Sequence, residues 1–439
     1  MGKKFKISGI LVILCSVLLA VGAYYYYYYA QQPVVLEFGV IAGGIYDVPN
    51  WQSYHTIDEI IEKFEKIHPN IKIKYRSGTL KGDYSEWLAQ KILKGTEPDV
   101  FYVMPGDFNT FASIGVMENL DQIIQKDDQF TLDSFYVNAI RSGQFQGSYY
   151  ALPKELDPRL MFVNITLLRK EGIPIPQGNW TWEEFYDICQ KVTKDTEGTG
   201  KINQFGVVGF NWQDAVYTNG QQLFNSSGTK AVFDNAQVLD SIKFIIALNQ
   251  LNQNFKVTPE DFNDGRVAFR PFPFSAYRAY KSYPYRIIRY SGFEWECIQL
   301  PRGPYGNNAA QLNSFLLGMS RRSEHKPEAW EFIKFLTYDQ DIQMDVFRYS
   351  HGVPVLRAVT ESKGADEELR RYNPDEKISI DKKVLSDVVD KSIVLPRFHK
   401  YDDVMKMADK EIFQIINGGK DPETSLQSLN QDINRFLTP

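Results

Sequence analysis

The residue types that most often do chemistry are scattered in this chain. Its five histidines are His55, His68, His325, His351 and His399. None stands at metal-ligand spacing from another His or Cys, so neither a zinc site nor a histidine-centred catalytic cluster is expected. No glycine-rich phosphate loop follows a strand, and no G-x-S-x-G elbow occurs. Acid pairs such as Glu183-Glu184 and Asp402-Asp403 are present. Among 54 Asp and Glu they read as solvated helix faces rather than as the two acids of a glycosidase. The expectation is a binder, not an enzyme, with no cofactor.

The informative residues are rings. The chain holds 29 Phe, 26 Tyr and 7 Trp, and Trp51, Trp212, Tyr217, Phe272, Phe274, Tyr277 and Tyr401 fall in or beside expected loops and element ends. Rigid rings present flat faces at low entropic cost, on which the C–H faces of a sugar stack while acid and amide groups take its hydroxyls. Rings with a few convergent polar groups are the usual anatomy of a small-ligand pocket. Trp182, Trp330 and Phe332, on helix faces, are expected in cores.

The elements that position these rings follow from periodicity. Val34–Val40 reads as a strand, and His55–His68 as a helix with Ile57, Ile60, Ile61, Phe64 and Ile67 on one face. The strand Ile71–Tyr75, the helix Tyr84–Lys94 and the strand Asp99–Val103 follow. This alternation predicts a parallel sheet covered by helices, with ligands outside the carboxyl ends of its strands. Further on, Leu160–Val163 reads as a buried strand and Thr181–Lys191 as a helix opened by the capping box Thr181/Glu184. Leu239–Leu251, Glu328–Leu336, Val404–Ile416 and Thr424–Leu437 complete the helices.

At 439 residues, two domains are expected. Residues 1–30 carry Lys3, Lys4 and Lys6, an uncharged stretch Ile7–Ala23 and the block Tyr24–Tyr29, the build of an export signal or an uncleaved membrane anchor. Lipid attachment at Cys15 ranks below both. The leader is basic, so the body is more acidic than the net charge of −5, which argues against nucleic acid as a partner. Cys189 and Cys297 read as small buried hydrophobes rather than a bridge.

A string of segments then resembles a known family, the extracellular solute-binding proteins of ATP-binding-cassette importers, in the sugar-binding group that includes maltose-binding protein. The segments are FEKIHPNIKI (Phe64–Ile73), GTEPDVFYV (Gly95–Val103), GSYYALP with LMFVNITLL (Gly147–Leu168), WTWEEF (Trp180–Phe185), FNDGRVAF (Phe262–Phe269), LPRGPYG (Leu300–Gly306), HKPEAWEFIKFL (His325–Leu336) and HGVPV (His351–Val355). The resemblance implies two α/β lobes joined by three crossing segments, near Gly147–Leu156, Glu294–Arg302 and Ser350–Pro354. Lobe I would be 34–147 with 300–349, and lobe II 148–299 with 350–439. It implies a carbohydrate, an oligosaccharide in particular, held between the lobes of a monomer and passed to a membrane permease at the extracellular face of a bacterial membrane. Position by position, the implied ligand contacts are Asp47, Asn50 and Trp51 in the first loop, Asp107 after the third strand, and Glu155, Asp157 and Arg159 at the first crossing. Phe272, Phe274, Tyr277 and Tyr401 supply the rings, and Trp212 joins the candidate ligand contacts as a loop-borne ring. Val103 and Met104 stand where maltose-binding protein has ring and polar contacts, a departure from maltose specificity. Arg159, Arg270 and Arg397 would also admit an acidic sugar. The alternatives are a carbohydrate-active enzyme and a ligand sensor for a membrane kinase.

Overall fold

The computed structural model describes residues 32–46, 53–76, 78–225, 227–253, 255–281, 292–370, 380–396 and 398–438. The leader and the first-loop residues Asp47, Asn50 and Trp51 therefore lie outside the described residues, as does Arg397. Eleven strands are described: β1 (Val34–Gly39), β2 (Ile71–Tyr75), β3 (Val100–Val103), β4 (Gln144–Phe145), β5 (Ser148–Tyr149), β6 (Ala151–Asn164), β7 (Phe205–Val207), β8 (Val267–Pro273), β9 (Trp295–Ile298), β10 (Leu312–Met319) and β11 (Val353–Pro354).

The expected alternation at the start of the chain is present. β1 pairs in parallel with β2 and with β3, and the helix Ser53–Ile67 between the first two strands buries Ile60 and Phe64. Phe38 on β1 meets Phe332 edge-on at 5.1 Å, and Phe64 meets the same ring at 5.0 Å. Each such buried side chain contributes roughly 1.5–3 kcal/mol through area removed from water. Gly95 ends the helix Lys81–Lys94 at φ 65°, in the left-handed region that glycine enters without strain.

The sheet continues in the order β2-β1-β3-β10-β6-β8-β7, with β9 and β11 also on β6. Beyond the parallel opening strands the sheet is mixed, because β10 runs antiparallel to both of its neighbours. β6 is the strand both halves share. Up to Pro158 it pairs with β10, and from Arg159 onward with β8. Beyond that exchange a second aromatic core forms, with Trp180, Phe185 and Phe269 in mutual contact at 5.4 Å. Trp182 stacks on Phe244 at 4.2 Å, and Trp330 and Phe332 are buried as expected.

The closing helices Tyr401–Gly418 and Pro422–Leu437 pack on each other and on the helix Ala236–Leu251. The segment before them sits elsewhere. Ser386 meets the Tyr136 hydroxyl at 3.0 Å, and Arg357 lies over the Tyr136 ring at 4.5 Å. Cys189 is a buried free thiol and Cys297 is buried as well. Among the described residues, no helix is long and apolar enough to cross a membrane.

Candidate functional site

A bulge sets the geometry of the site. The register between β6 and β10 shifts where Phe315 faces Glu155 and the next residue, Leu316, faces Pro153. Lys154 is the extra residue, so Lys154 and Glu155 lie side by side instead of on opposite faces. Their charged ends are 2.8 Å apart and both side chains are buried. Glu155 also accepts the Tyr46 hydroxyl at 2.7 Å and the Ser350 hydroxyl. This one carboxylate thus ties together the loop after β1, the shared strand and the segment leading into β11.

The electrostatics of the cluster follow from burial. Burial alone would pull the Lys154 ammonium down, but Glu155 with Tyr102 outweighs it and holds the group above the usual lysine range. Burial pushes the Tyr46 hydroxyl well above the ordinary tyrosine value, and the Glu155 charge pushes the same way. Two residues along β6, Asp157 accepts the backbone N–H and the hydroxyl of Ser275, each at 2.8 Å. Burial nonetheless raises its carboxyl to about 7. Across the same junction burial, aided by the Arg278 charge, lowers His351 to about 4.

Glu155, Asp157 and Arg159 thus form one polar line along β6. Arg159 stands where β6 changes partner, close to the carboxyl end of β7. Its Nε lies 2.9 Å from Asp214 Oδ1, and its Nη2 donates to Asp214 Oδ2 at 3.2 Å and to the Gly209 carbonyl at 2.9 Å. Asn313 on β10, in register with Asp157, is exposed. Asp107 sits at the carboxyl end of β3, where burial raises its carboxyl and Asp402 adds to the effect. That repulsion sets the end of β3 and the start of the helix Tyr401–Gly418 within electrostatic reach of each other.

The predicted rings fall into two separate buried groups. Trp212 donates from Nε1 to Asp409 at 2.9 Å, and Tyr401 packs edge-on against Phe398 at 5.4 Å and Phe224 at 5.8 Å. Both belong to the contact between the helices Trp212–Thr218 and Tyr401–Gly418. Phe272, Phe274 and Tyr277 form the other group. Phe272 meets Phe162 at 4.6 Å, and Tyr277 stacks on Phe274 at 5.7 Å while its hydroxyl accepts from the Ile380 N–H. Phe274 and Tyr277 are 0% and 2% exposed, which makes them core rings rather than an open platform. The physical reason is that rings at strand ends on a covered sheet bury most of their area against the next element. Arg270 stacks on Phe272 at 3.8 Å and donates to Asn263.

Tyr46, Lys154, Asp214, Ser275, Ser350 and His351 were not anticipated. A lone Tyr or Ser in a loop carries no spacing signal, and the Lys154–Glu155 pair depends on a bulge that the sequence does not announce.

A mixed α/β sheet whose strand β6 changes partner partway, with polar side chains at that point, is the fold of two-lobed binding proteins. The chain belongs to the bacterial extracellular solute-binding protein family, whose model matches residues 49–341. A lipoprotein encoded in the oleD 5′ region of Streptomyces antibioticus is 23% identical over 331 residues, 69% of this chain and 67% of the relative. Solved structures share the fold. The cyclic α-maltosyl-1,6-maltose-binding protein of Arthrobacter globiformis matches at TM-score 0.77 and 16% identity, over 92% of this chain and 99% of its own. The sugar-binding protein MalE of Xanthomonas citri matches at 0.74 and 17%, over 92% and 97%. The substrate-binding protein Lmo0181 of Listeria monocytogenes, solved with cycloalternan, matches at 0.70 and 18%, over 92% and 99%.

Proposed function

We propose that this protein captures a carbohydrate, an oligosaccharide in particular, in the cleft between its lobes and hands it to the permease of an ATP-binding-cassette importer, without catalysis. The supporting observation is that solved proteins with this fold over 92% of the chain include one in complex with cycloalternan and one named for binding a cyclic maltosyl-maltose. Lobe I is proposed as 34–147 with 300–349, and lobe II as 148–299 with 350–439. The exchange of partners along β6 supports a crossing near Pro158–Arg159, which leaves Ala151–Pro158 in the sheet of lobe I, and the stretches 357–370 and 380–391 touch both sides, Arg357 and Ser386 at Tyr136 and Ile380 at Tyr277. Ligand contacts are proposed along Asp107, Asp157, Arg159 and the first-loop residues Asp47, Asn50 and Trp51. The buried rings Trp212, Phe272, Phe274, Tyr277 and Tyr401, and Glu155 in its polar cluster, brace these contacts from behind. The protein works as a monomer held at the extracellular face by its N-terminal segment, a reading that fits the lipoprotein relative.

A thermal-shift screen of the purified protein against mono- and oligosaccharides tests the reading. A ligand at 100 times its Kd stabilises the folded state by about 2.7 kcal/mol. A transition moved only by amino acids, peptides or metals would refute the carbohydrate assignment, and turnover of a labelled oligosaccharide would refute the absence of catalysis.

A further inference from the structure

One face of the opening sheet does not read as a covered face. Parallel strands packed on both sides are apolar throughout, and side chains two residues apart share a face. Yet β2 presents Lys74 and Arg76 on one face, both exposed, and β1 presents Glu37, exposed and in register with Lys74. The helix Lys81–Lys94 leaves a groove over these residues. Its cavity of about 430 Å³ is lined by Glu37, Lys74 and Arg76 from the strands, Trp87 and Lys91 from the helix, and Thr96 beyond it. That volume falls among small-molecule sites, roughly 300–1,000 Å³. The cations of the groove are unmatched. Elsewhere around this sheet Lys63 pairs with Asp345, Lys72 with Glu65, Arg322 with Glu97 and Lys334 with Asp127. Among the described residues, the side chains of Lys74, Arg76 and Lys91 make no hydrogen bond and no ion pair.

We propose that this groove is a second binding site, for a phosphorylated monosaccharide, separate from the cleft between the lobes. Three cations stand there with one carboxylate, a local positive surplus on a chain whose net charge is −5. A phosphate monoester carries about −1.5 to −2 near pH 7 and answers that surplus, as a single carboxylate does not. Arg76 offers phosphate oxygens a planar fork, and the two lysines offer point charges. Trp87 packs on Tyr84 at 5.3 Å and remains half-buried, which leaves a flat apolar surface for the C–H face of a sugar ring. The Thr96 hydroxyl is at hand for a ring hydroxyl. None of the lining residues is among the proposed cleft contacts, so this inference goes beyond the cleft reading and does not depend on it.

The test is calorimetry of the full chain with glucose 6-phosphate and with inorganic phosphate, on the wild type, Arg76→Ala and Lys91→Ala. The wild type should bind the sugar phosphate more tightly than inorganic phosphate, and each variant should lose about tenfold in sugar-phosphate affinity. Any neutral glycan that the wild type binds should bind both variants unchanged. The two substitutions lie on different elements, so misfolding of one leaves the other to decide. No binding of glucose 6-phosphate, or equal affinity in all three proteins, overturns the site. Inorganic phosphate bound as tightly as the sugar phosphate overturns the sugar assignment, because the ring would then add nothing. Cosedimentation with phosphatidylglycerol vesicles that is lost in Arg76→Ala would give the groove to a lipid headgroup and overturn the soluble ligand. The cleft reading is decided separately, by the neutral-glycan screen, and survives any of these failures.

Discussion

Glu155 shows how one side chain can organise a junction between distant parts of a chain. It accepts from Tyr46 and Ser350 and pairs with Lys154, all away from bulk water. Tyr46→Phe removes one donor and leaves the others, so it should cost about 1 kcal/mol in urea unfolding. Glu155→Ala strands a buried ammonium and should cost about 3–5 kcal/mol; near-equal losses for the two variants would contradict this account. Asp157 and His351 make a pH prediction of opposite signs. Asp157 binds its proton more tightly folded than unfolded, so its contribution is lost as pH rises from near 4 to about 7. His351 binds its proton less tightly folded, so its contribution is lost as pH falls from about 6.5 to about 4. The two slopes oppose each other over most of one window, and the wild type should be nearly flat there. Asp157→Asn should unmask a rise with pH of up to about 3 kcal/mol, and His351→Gln a fall of up to about 4 kcal/mol. Urea midpoints at pH 4.5 and 6.5 read this directly, and parallel profiles for the two variants would dismiss the compensation.

At the level of elements, the strands and helices with regular periodicity were legible and the crossing strand was only half so. WTWEEF was expected to open a helix through Thr181 and Glu184, and the reciprocal cap is present, with the Glu184 N–H donating to Thr181 at 3.2 Å. Thr181→Ala should therefore cost about 1 kcal/mol in thermal or urea unfolding. Leu160–Val163 was visible as a buried strand, but β6 begins at Ala151. Its first half holds Pro153, Lys154, Glu155, Asp157 and Pro158, an irregular pattern that alternation does not detect. The charges there are buried because partners from other segments reach them, and such partners are not readable from local sequence. Gly352 is a further element-scale constraint. A Cβ at this position would lie 2.0 Å from the Tyr46 hydroxyl oxygen and 2.7 Å from Glu155 Oε2. Gly352→Ala should force Tyr46 off Glu155 and destabilise more than Tyr46→Phe does; a neutral effect would show that the three segments are not tied in this way.

For the molecule as a whole, two lobes and a cleft were implied by segments in family order, and the rings expected at that cleft are buried against neighbouring elements. Ring content alone does not distinguish a platform from a core, because both uses bury similar area. Domain closure belongs to the general repertoire of binding proteins. Ligand should shift the population toward a closed form. Small-angle scattering with and without the glycan found in the screen should show a smaller radius of gyration with ligand; an unchanged radius at saturation would argue for a cleft that is closed from the start.

The position of β10 also bears on how the chain assembles. β3 ends at Val103, yet its neighbour in the sheet begins only at Leu312, and that late strand lies between β3 and β6. A chain threading across a membrane from its N-terminus exposes the hydrogen-bonding edge of β3 until most of its length has emerged. Such long-range pairing is slow, because loop closure comes before the contacts that reward it, and an unpaired edge is open to pairing with other chains in the meantime. The same interleaving means that the edge of β3 gains its partner only when the last third of the chain has arrived.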